Sequence, residues 1–428
     1  MRAPKVKTVA QSRLKAVEKI ALDALRTYAS PPSASQYRKF ESIQVVEAGN
    51  LTAPQIRRLG VNLDEGRLAR EIRDHLQGES VDFVVQVARG GKPGFAFASG
   101  FARKSSDGNS RWTIGTRQHV ASVSKLFTAA LLVKILDEKE IGFDTRIKGY
   151  LPEHWTLGQK ATFATFRNIL SHVQGFWDSH FTYTETKRHL ESAMSGIGEG
   201  WHYSNTNYAL MRVLIPIVNG TVSRKAKWIG LPGLVEGPRA NDIVWDATTR
   251  SIFERLSREQ IWDKAGVPFA TLVSNEALRN DPAYVHLQHI TNASLAYPLG
   301  GSRYLSGHDI STDLTALSGA VGWHLNVTEM LAGASAMRRG KVMRRSLFRQ
   351  MCEAGLGPWI WNFADGSQMF YHDGSWSDGE GYGQISHLSF LPDNIEVAIL
   401  CNQPRSNDVR QLPSLGSIVA NASLAARV

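Results

Sequence analysis

The 428-residue chain has almost none of the devices that stitch or anchor a protein. Cysteine is nearly absent, with Cys352 and Cys401 the only two, so neither a disulfide framework nor a multi-cysteine zinc site can be built. A reducing compartment is the simpler setting, and the expected location is cytoplasmic. No apolar run approaches the ~18–20 residues of a membrane span. The stretch Met1-Arg-Ala-Pro-Lys-Val-Lys-Thr8 also lacks the apolar core of a secretory leader. Acidic residues are in the minority, 39 against 49 Lys plus Arg, leaving a formal charge of +10. The excess gathers before residue 75 and at Arg338, Arg339, Lys341, Arg344, Arg345 and Arg349. Neither cluster is interleaved with aromatics or carries zinc-finger spacing, so both are read as solvated helix faces and no nucleic-acid partner is expected.

What remains is an ordinary globular composition, 43% hydrophobic and 21% charged. Leu14, Val17, Ala21, Leu25 and Tyr28 recur at helical spacing and predict an amphipathic helix over 9–28, closed by Ser30-Pro-Pro-Ser-Ala-Ser35. A second helix is expected near Asp64–Gln77. Two strands follow, Asp82–Ala88 and Gly94–Ala102, around the turn Arg89-Gly-Gly-Lys-Pro93. Helical patterns dominate 122–350. Strands return near 356–363, 368–373, 384–391 and 395–402, with Pro392-Asp-Asn394 as a hairpin turn, before a last helix at 413–426. Strands at both ends with helices between predict an α/β (α+β) fold, one antiparallel sheet built from both chain ends, flanked by helices, plus a helical domain. The division read from this is an N-terminal helical extension over 1–60 and one domain over 61–428. Its sheet lobe spans about 61–120 and 350–428, its helical lobe about 121–349, with an insertion at 221–247 before a helix Thr248–Leu256.

Chemistry concentrates in three places. Ser122-Val-Ser-Lys125 sets a hydroxyl and an amine one helical turn apart, so that Lys125 can help take the proton of Ser122 and make it a nucleophile. Tyr203-Ser-Asn205 offers a phenol that a neighbouring cation can hold as phenolate, general base toward the serine and then acid toward the leaving group. Asn205 can donate to a substrate carbonyl while orienting the lysine. His372-Asp-Gly374, read on an edge strand, offers a polar side chain at His372 and a flexible backbone at Gly374 where substrate lies against the strand. The amide N–H groups of Ser122 and Ser375 are the expected oxyanion donors. Singly these motifs are weak: Ser12-Arg-Leu-Lys15 repeats the first on the basic N-terminal helix with no partners. Tyr203-Ser-Asn205, in contrast, is the only Tyr-x-Asn in the chain.

In this order, and with their surroundings, the motifs resemble the class C β-lactamase family of serine hydrolases, which also holds D-peptidases, D-aminopeptidases, amidases, carboxylesterases and acyltransferases. Ala121–Ala129 is similar to the family's nucleophile segment, Ile169-Leu-Ser-His-Val-Gln-Gly-Phe176 to its Leu-Leu-Ser-His-Thr-Ser-Gly-Leu signature, and Gly200–Ala209 to its Tyr-x-Asn loop. His387–Asp393 and Val397–Asn402 resemble the terminal strand pair, while Trp323–Met330 matches its counterpart only loosely. The resemblance covers about residues 64–427. It implies acyl transfer through an acyl-Ser122 intermediate activated by Lys125 and Tyr203, needing no metal and no cofactor. Penicillin-active relatives usually carry Lys where this chain has His372, which removes a permanent cation suited to a substrate carboxylate. The expected activity is therefore hydrolysis of a small-molecule ester or lactone. The alternatives are an acyltransferase, a D-aminopeptidase or amidase and, further off, a β-lactamase or a non-catalytic sensor. The expected partner is a small-molecule ester, lactone or amide.

Overall fold

The computed structural model describes residues 62–428 apart from 174–175, 177–179, 193–199, 228–237, 268–269, 271–292, 303, 309–313, 379 and 407–410. The helix expected over 9–28 lies outside the described residues, as does part of the expected 221–247 insertion. The named elements are helix α1 (Glu65–Gly78), strands β1 (Phe83–Arg89) and β2 (Lys92–Ser99), helices α2 (Ser124–Glu138), α3 (Phe166–Ser171), α4 (Asn205–Val218), α5 (Pro238–Ser257) and α6 (Val327–Arg338), strands β3 (Trp359–Asn362), β4 (Gln368–Ser377), β5 (Tyr382–Leu391) and β6 (Ile395–Cys401), and helix α7 (Leu415–Ala425).

The sheet runs β2-β1-β6-β5-β4-β3, with the two-residue strand Tyr297–Pro298 beside β5, and the pairs between these strands are antiparallel. The last strand thus lies against the first, Val85 opposite Ile399, which closes the sheet across more than 300 residues of sequence. Alternation decides which side each strand residue serves. Phe83, Val85 and Val87 pack with Leu68, Ile72, Val397, Ile399 and Val419 beneath α1 and α7. Val84 and Ala88 join Ala398, Leu400 and Leu388 in the larger core shared with the helical lobe. Left-handed Gly90 and Gly91 make the first hairpin, and Asp393 and Asn394, both at positive φ, make the second.

Helix α1 begins where Asp64 accepts a hydrogen bond from the Arg67 backbone N–H, an N-cap that a one-residue frame shift would lose. α2 is different in kind: Ser124–Leu136 are all buried, so it is a central helix with no solvent face. α5 starts at Pro238, ten residues ahead of the helix expected at Thr248. Pro is well placed in a first turn, and the mixed run Asn241-Asp-Ile-Val-Trp245 hides the helical period until Trp245 is seen buried. Among the described residues no helix is long and apolar enough to cross a membrane.

Candidate active site

Ser122 lies in a 3-10 turn, Ala121–Val123, that runs straight into α2. The chain enters it through Ala121 at φ +44°, a left-handed conformation costing a residue with a Cβ about 1–2 kcal/mol. Neighbours hold it there: Val120 N–H donates to Trp323 O at 2.9 Å, and Ser386 Oγ donates to Val120 O at 2.7 Å.

One turn on, Lys125 is fully buried. Its Nζ lies 2.9 Å from Ser122 Oγ, 2.8 Å from Asn205 Oδ1 and 2.9 Å from the Ala320 carbonyl oxygen. None of these partners is a carboxylate, so burial drives its pKa well below that of an ordinary lysine. Tyr203 OH donates to the same Ser122 Oγ at 2.7 Å. Burial pushes this phenol up, not down. Low dielectric disfavours charge on both groups, which works against the phenolate expected from the sequence. Ser122 Oγ thus accepts from both Tyr203 OH and Lys125 Nζ, and Nζ also donates to Asn205 Oδ1 and Ala320 O.

Asn205 is the first residue of α4, whose N-cap Ser204 accepts from the Thr206 N–H at 3.2 Å. The Tyr-x-Asn motif therefore sits at a capped helix start, which fixes its direction. Behind it stands His172, at φ +57° at the end of α3. Its Nδ1 accepts from Ser204 N–H at 3.3 Å and Asn207 Nδ2 at 3.1 Å, and its ring lies 4.6 Å from that of Tyr203. Burial pushes its pKa down to about 2, keeping it neutral.

β4 carries the third motif. Gly374 lies opposite Ser386 on β5, and a Cβ there would fall 2.5 Å from Val120 O and 3.1 Å from Ser122 N. The strand passes so close to the nucleophile turn that only glycine fits. The next residue, Ser375, is exposed. β4 is not an edge strand along its whole length, contrary to expectation: β3 flanks it, but only over Gln368–Tyr371. His372 has no exposed surface. It stacks on Trp359 at 4.5 Å and faces Tyr203 at 6.1 Å, and its Nδ1–H donates to the Asp373 carbonyl at 2.6 Å. Burial first, then Lys125, pushes its pKa down to about 3, so it brings no positive charge. Asp373 points to the other face, where Oδ1 meets His387 Nδ1 at 2.6 Å and Oδ2 accepts from Gly416 N–H at 3.2 Å.

The β-lactamase family model matches residues 68–226, the stretch holding the first two motifs. Penicillin-binding protein 4* of Bacillus subtilis (strain 168) is 29% identical over 117 residues, which take in 24% of this chain and only 25% of that protein. The fold is that of the β-lactamases and penicillin-binding proteins. Solved structures share the fold. A penicillin-binding protein homologue from Pyrococcus abyssi superposes with a TM-score of 0.61 at 16% identity, over 85% of this chain and 78% of that one. FmtA from Staphylococcus aureus gives 0.59 at 13%, over 87% and 94%. A D-amino acid amidase from Ochrobactrum anthropi SV3, complexed with L-phenylalanine, gives 0.58 at 16%, over 84% and 97%.

Three contributors to the site escape sequence reading. Ala320 acts through its carbonyl, which no side chain advertises; the signal is the flanking Gly319 and Gly322, both at positive φ. His119 Nε2 accepts from Gly322 N–H at 3.1 Å and pins that loop. Trp359 covers His372 from a strand only four residues long. Among nearby aromatics, Trp201 lines a cleft, whereas Trp376 packs edge-on to His119 at 5.3 Å and Tyr382 stacks on His308 at 3.6 Å.

Proposed function

We propose that this protein hydrolyses a small, uncharged ester or lactone through an acyl-Ser122 intermediate. The observation that carries the reading is the unbroken set of contacts Tyr203–Ser122–Lys125–Asn205, with no acidic residue in it. In the forward step the Lys125 amine takes the Ser122 proton as Oγ attacks the carbonyl carbon, and the oxyanion is received by the Ser122 and Ser375 N–H groups, each such donor worth ~3–4 kcal/mol. Tyr203 gives its proton to the departing oxygen and is reprotonated from Lys125, both groups resting on the same serine oxygen. Water then attacks the acyl carbon by the reverse path. Gly374 lets the strand close over the turn, and Asn205 holds the amine and meets the acyl carbonyl. His372, neutral and covered, keeps Tyr203 in place and supplies no counter-charge for a substrate carboxylate, which disfavours β-lactams.

Amide hydrolysis is the second reading. It is favoured by the protonated Tyr203, because an amine leaves only with a proton whereas many alkoxides need less help. Acyl transfer to an alcohol or amine would use the same residues. The test is a fluorophosphonate probe and a p-nitrophenyl ester applied to native protein and Ser122→Ala. Labelling and turnover of the native protein alone support the assignment; equal labelling of both, or of neither, sinks it. Adding alcohol or amine acceptors then separates transfer from hydrolysis, and nitrocefin turnover is expected to be poor.

A further inference from the structure

A cleft of about 470 Å³ opens beside Tyr203, and none of Ser122, Lys125 and Tyr203 lines it. Its walls are mostly Val173, Trp201, Pro358, Trp359, Ile360 and Tyr371. No charged side chain is among its described lining residues, and the His172 at its base is neutral with its pKa near 2. Trp201 is 58% exposed and Val173 41% exposed. Two large apolar side chains at a concave mouth are a costly surface unless something covers them. Three of its lining rings contact Tyr203: Trp359 lies edge-on at 6.0 Å, and Trp201 and His172 are tilted at 6.5 Å and 4.6 Å.

We infer that this cleft is the leaving-group subsite and that it takes an uncharged aromatic or branched apolar alcohol or amine portion of the substrate. The inference rests on the acyl-serine reading above. Its direction comes from the proton. Tyr203 is the group that protonates the departing atom, so the substituent on that atom lies past Tyr203, where the cleft is. The acyl portion lies on the opposite side, along β4 from His372 onward, where β3 no longer flanks the strand. An apolar ring in the cleft gains by leaving water, and the walls offer no partner for a carboxylate or ammonium. Binding energy gathered there and kept in the transition state raises kcat/KM for acylation but not the rate at which water discharges the acyl-enzyme.

The test uses acetate esters whose alcohols have similar acidity and differ in bulk, ethyl against benzyl, with native protein, Val173→Arg and Trp201→Ala. Both substituted positions are exposed, so folding is not at stake. Native protein is expected to prefer benzyl acetate by at least tenfold in kcat/KM, with equal deacylation rates. Both variants should bring that ratio toward one, and Val173→Arg should turn it in favour of a 4-carboxybenzyl ester. A native ratio near one, a ratio that survives both variants, or a change in discrimination among acyl groups instead would overturn the subsite. Failure of the underlying reading looks different: no fluorophosphonate labelling of Ser122 and no turnover of either ester, which would bring down both.

Discussion

At the scale of the residue, the decisive fact is that Lys125 is buried with no carboxylate among its hydrogen-bond partners, which favours the amine over the ammonium. The sign of its pH dependence follows. Protonation removes the lone pair facing Ser122, so kcat/KM should climb with pH along a one-proton limb and level off well before the ~10.4 of a free lysine. A pH–rate profile on a neutral ester checks this, and a limb centred near the free-lysine value would contradict it. Lys125→Arg, which keeps a cation and has no available lone pair, should abolish turnover to the same extent as Lys125→Ala. Tyr203→Phe separates the two proton roles. Loss of the leaving-group acid should lower kcat for anilides by ~10²–10⁴-fold, the usual scale of general acid catalysis, and for p-nitrophenyl esters by much less. Equal losses on both would place Tyr203 in serine activation instead.

At the scale of the element, β4 and the nucleophile turn meet with no room to spare. In Gly374→Ala the new methyl would contact Val120 O and Ser386 Oγ, and overpacking of this kind costs ~1–3 kcal/mol. Because the methyl also drives the strand from Ser122 N, activity should fall far more steeply than the melting temperature; ester assays and calorimetry on one preparation compare the two. A second contact tests helix pairing. Arg212 on α4 is fully buried and reaches Asp246 on α5 at 2.6 Å. Asp246→Asn leaves that guanidinium without its anion and should destabilise by ~3–5 kcal/mol, measured by denaturant unfolding.

These contacts also show what the sequence could convey. Ser122, Lys125, Tyr203 and Asn205 were legible because local geometry brings them together, an i,i+3 pair on one helix and a capped start on another. The sheet was legible because its strands alternate. Ala320 was not, since a carbonyl leaves no letter in the sequence. The phenolate expectation failed because charge state depends on burial, and burial depends on all the neighbours at once. β4 looked like an edge because the strand expected near 356–363 carries no mark of its pairing partner, and β3 pairs with β4 only over Gln368–Tyr371.

At the scale of the whole molecule, four buried histidines set a limit in acid. His119, His324 and His372 have no exposed surface and His172 is 2% exposed. His172 is held near pKa 2, His324 and His372 near 3, and His119 well below the usual value, each chiefly by burial. Unfolding frees all four to titrate near ~6.5. Below that pH the unfolded chain binds more protons than the folded one, so stability falls as pH drops; above it the contribution is complete. At ~1.4 kcal/mol per pH unit each, moving from pH 7 to 5.5 should cost on the order of 5 kcal/mol, comparable to the whole margin of a small domain. Guanidinium midpoints at the two pH values check this. A midpoint that does not move would mean the imidazoles are charged in the folded protein.

The assembled nucleophile carries one more consequence. Lys125, Asn205, Ala320 and Tyr203 form one connected set of hydrogen bonds around Ser122, and they are supplied by separate stretches of chain, from the turn before α2 to the loop before Trp323. Covalent capture of Ser122 by a small electrophile is thus a reporter of tertiary docking that no single helix can imitate. Followed through a denaturant series beside circular dichroism, it would reveal whether the centre melts before the scaffold does, and so how tightly the two lobes are thermodynamically welded.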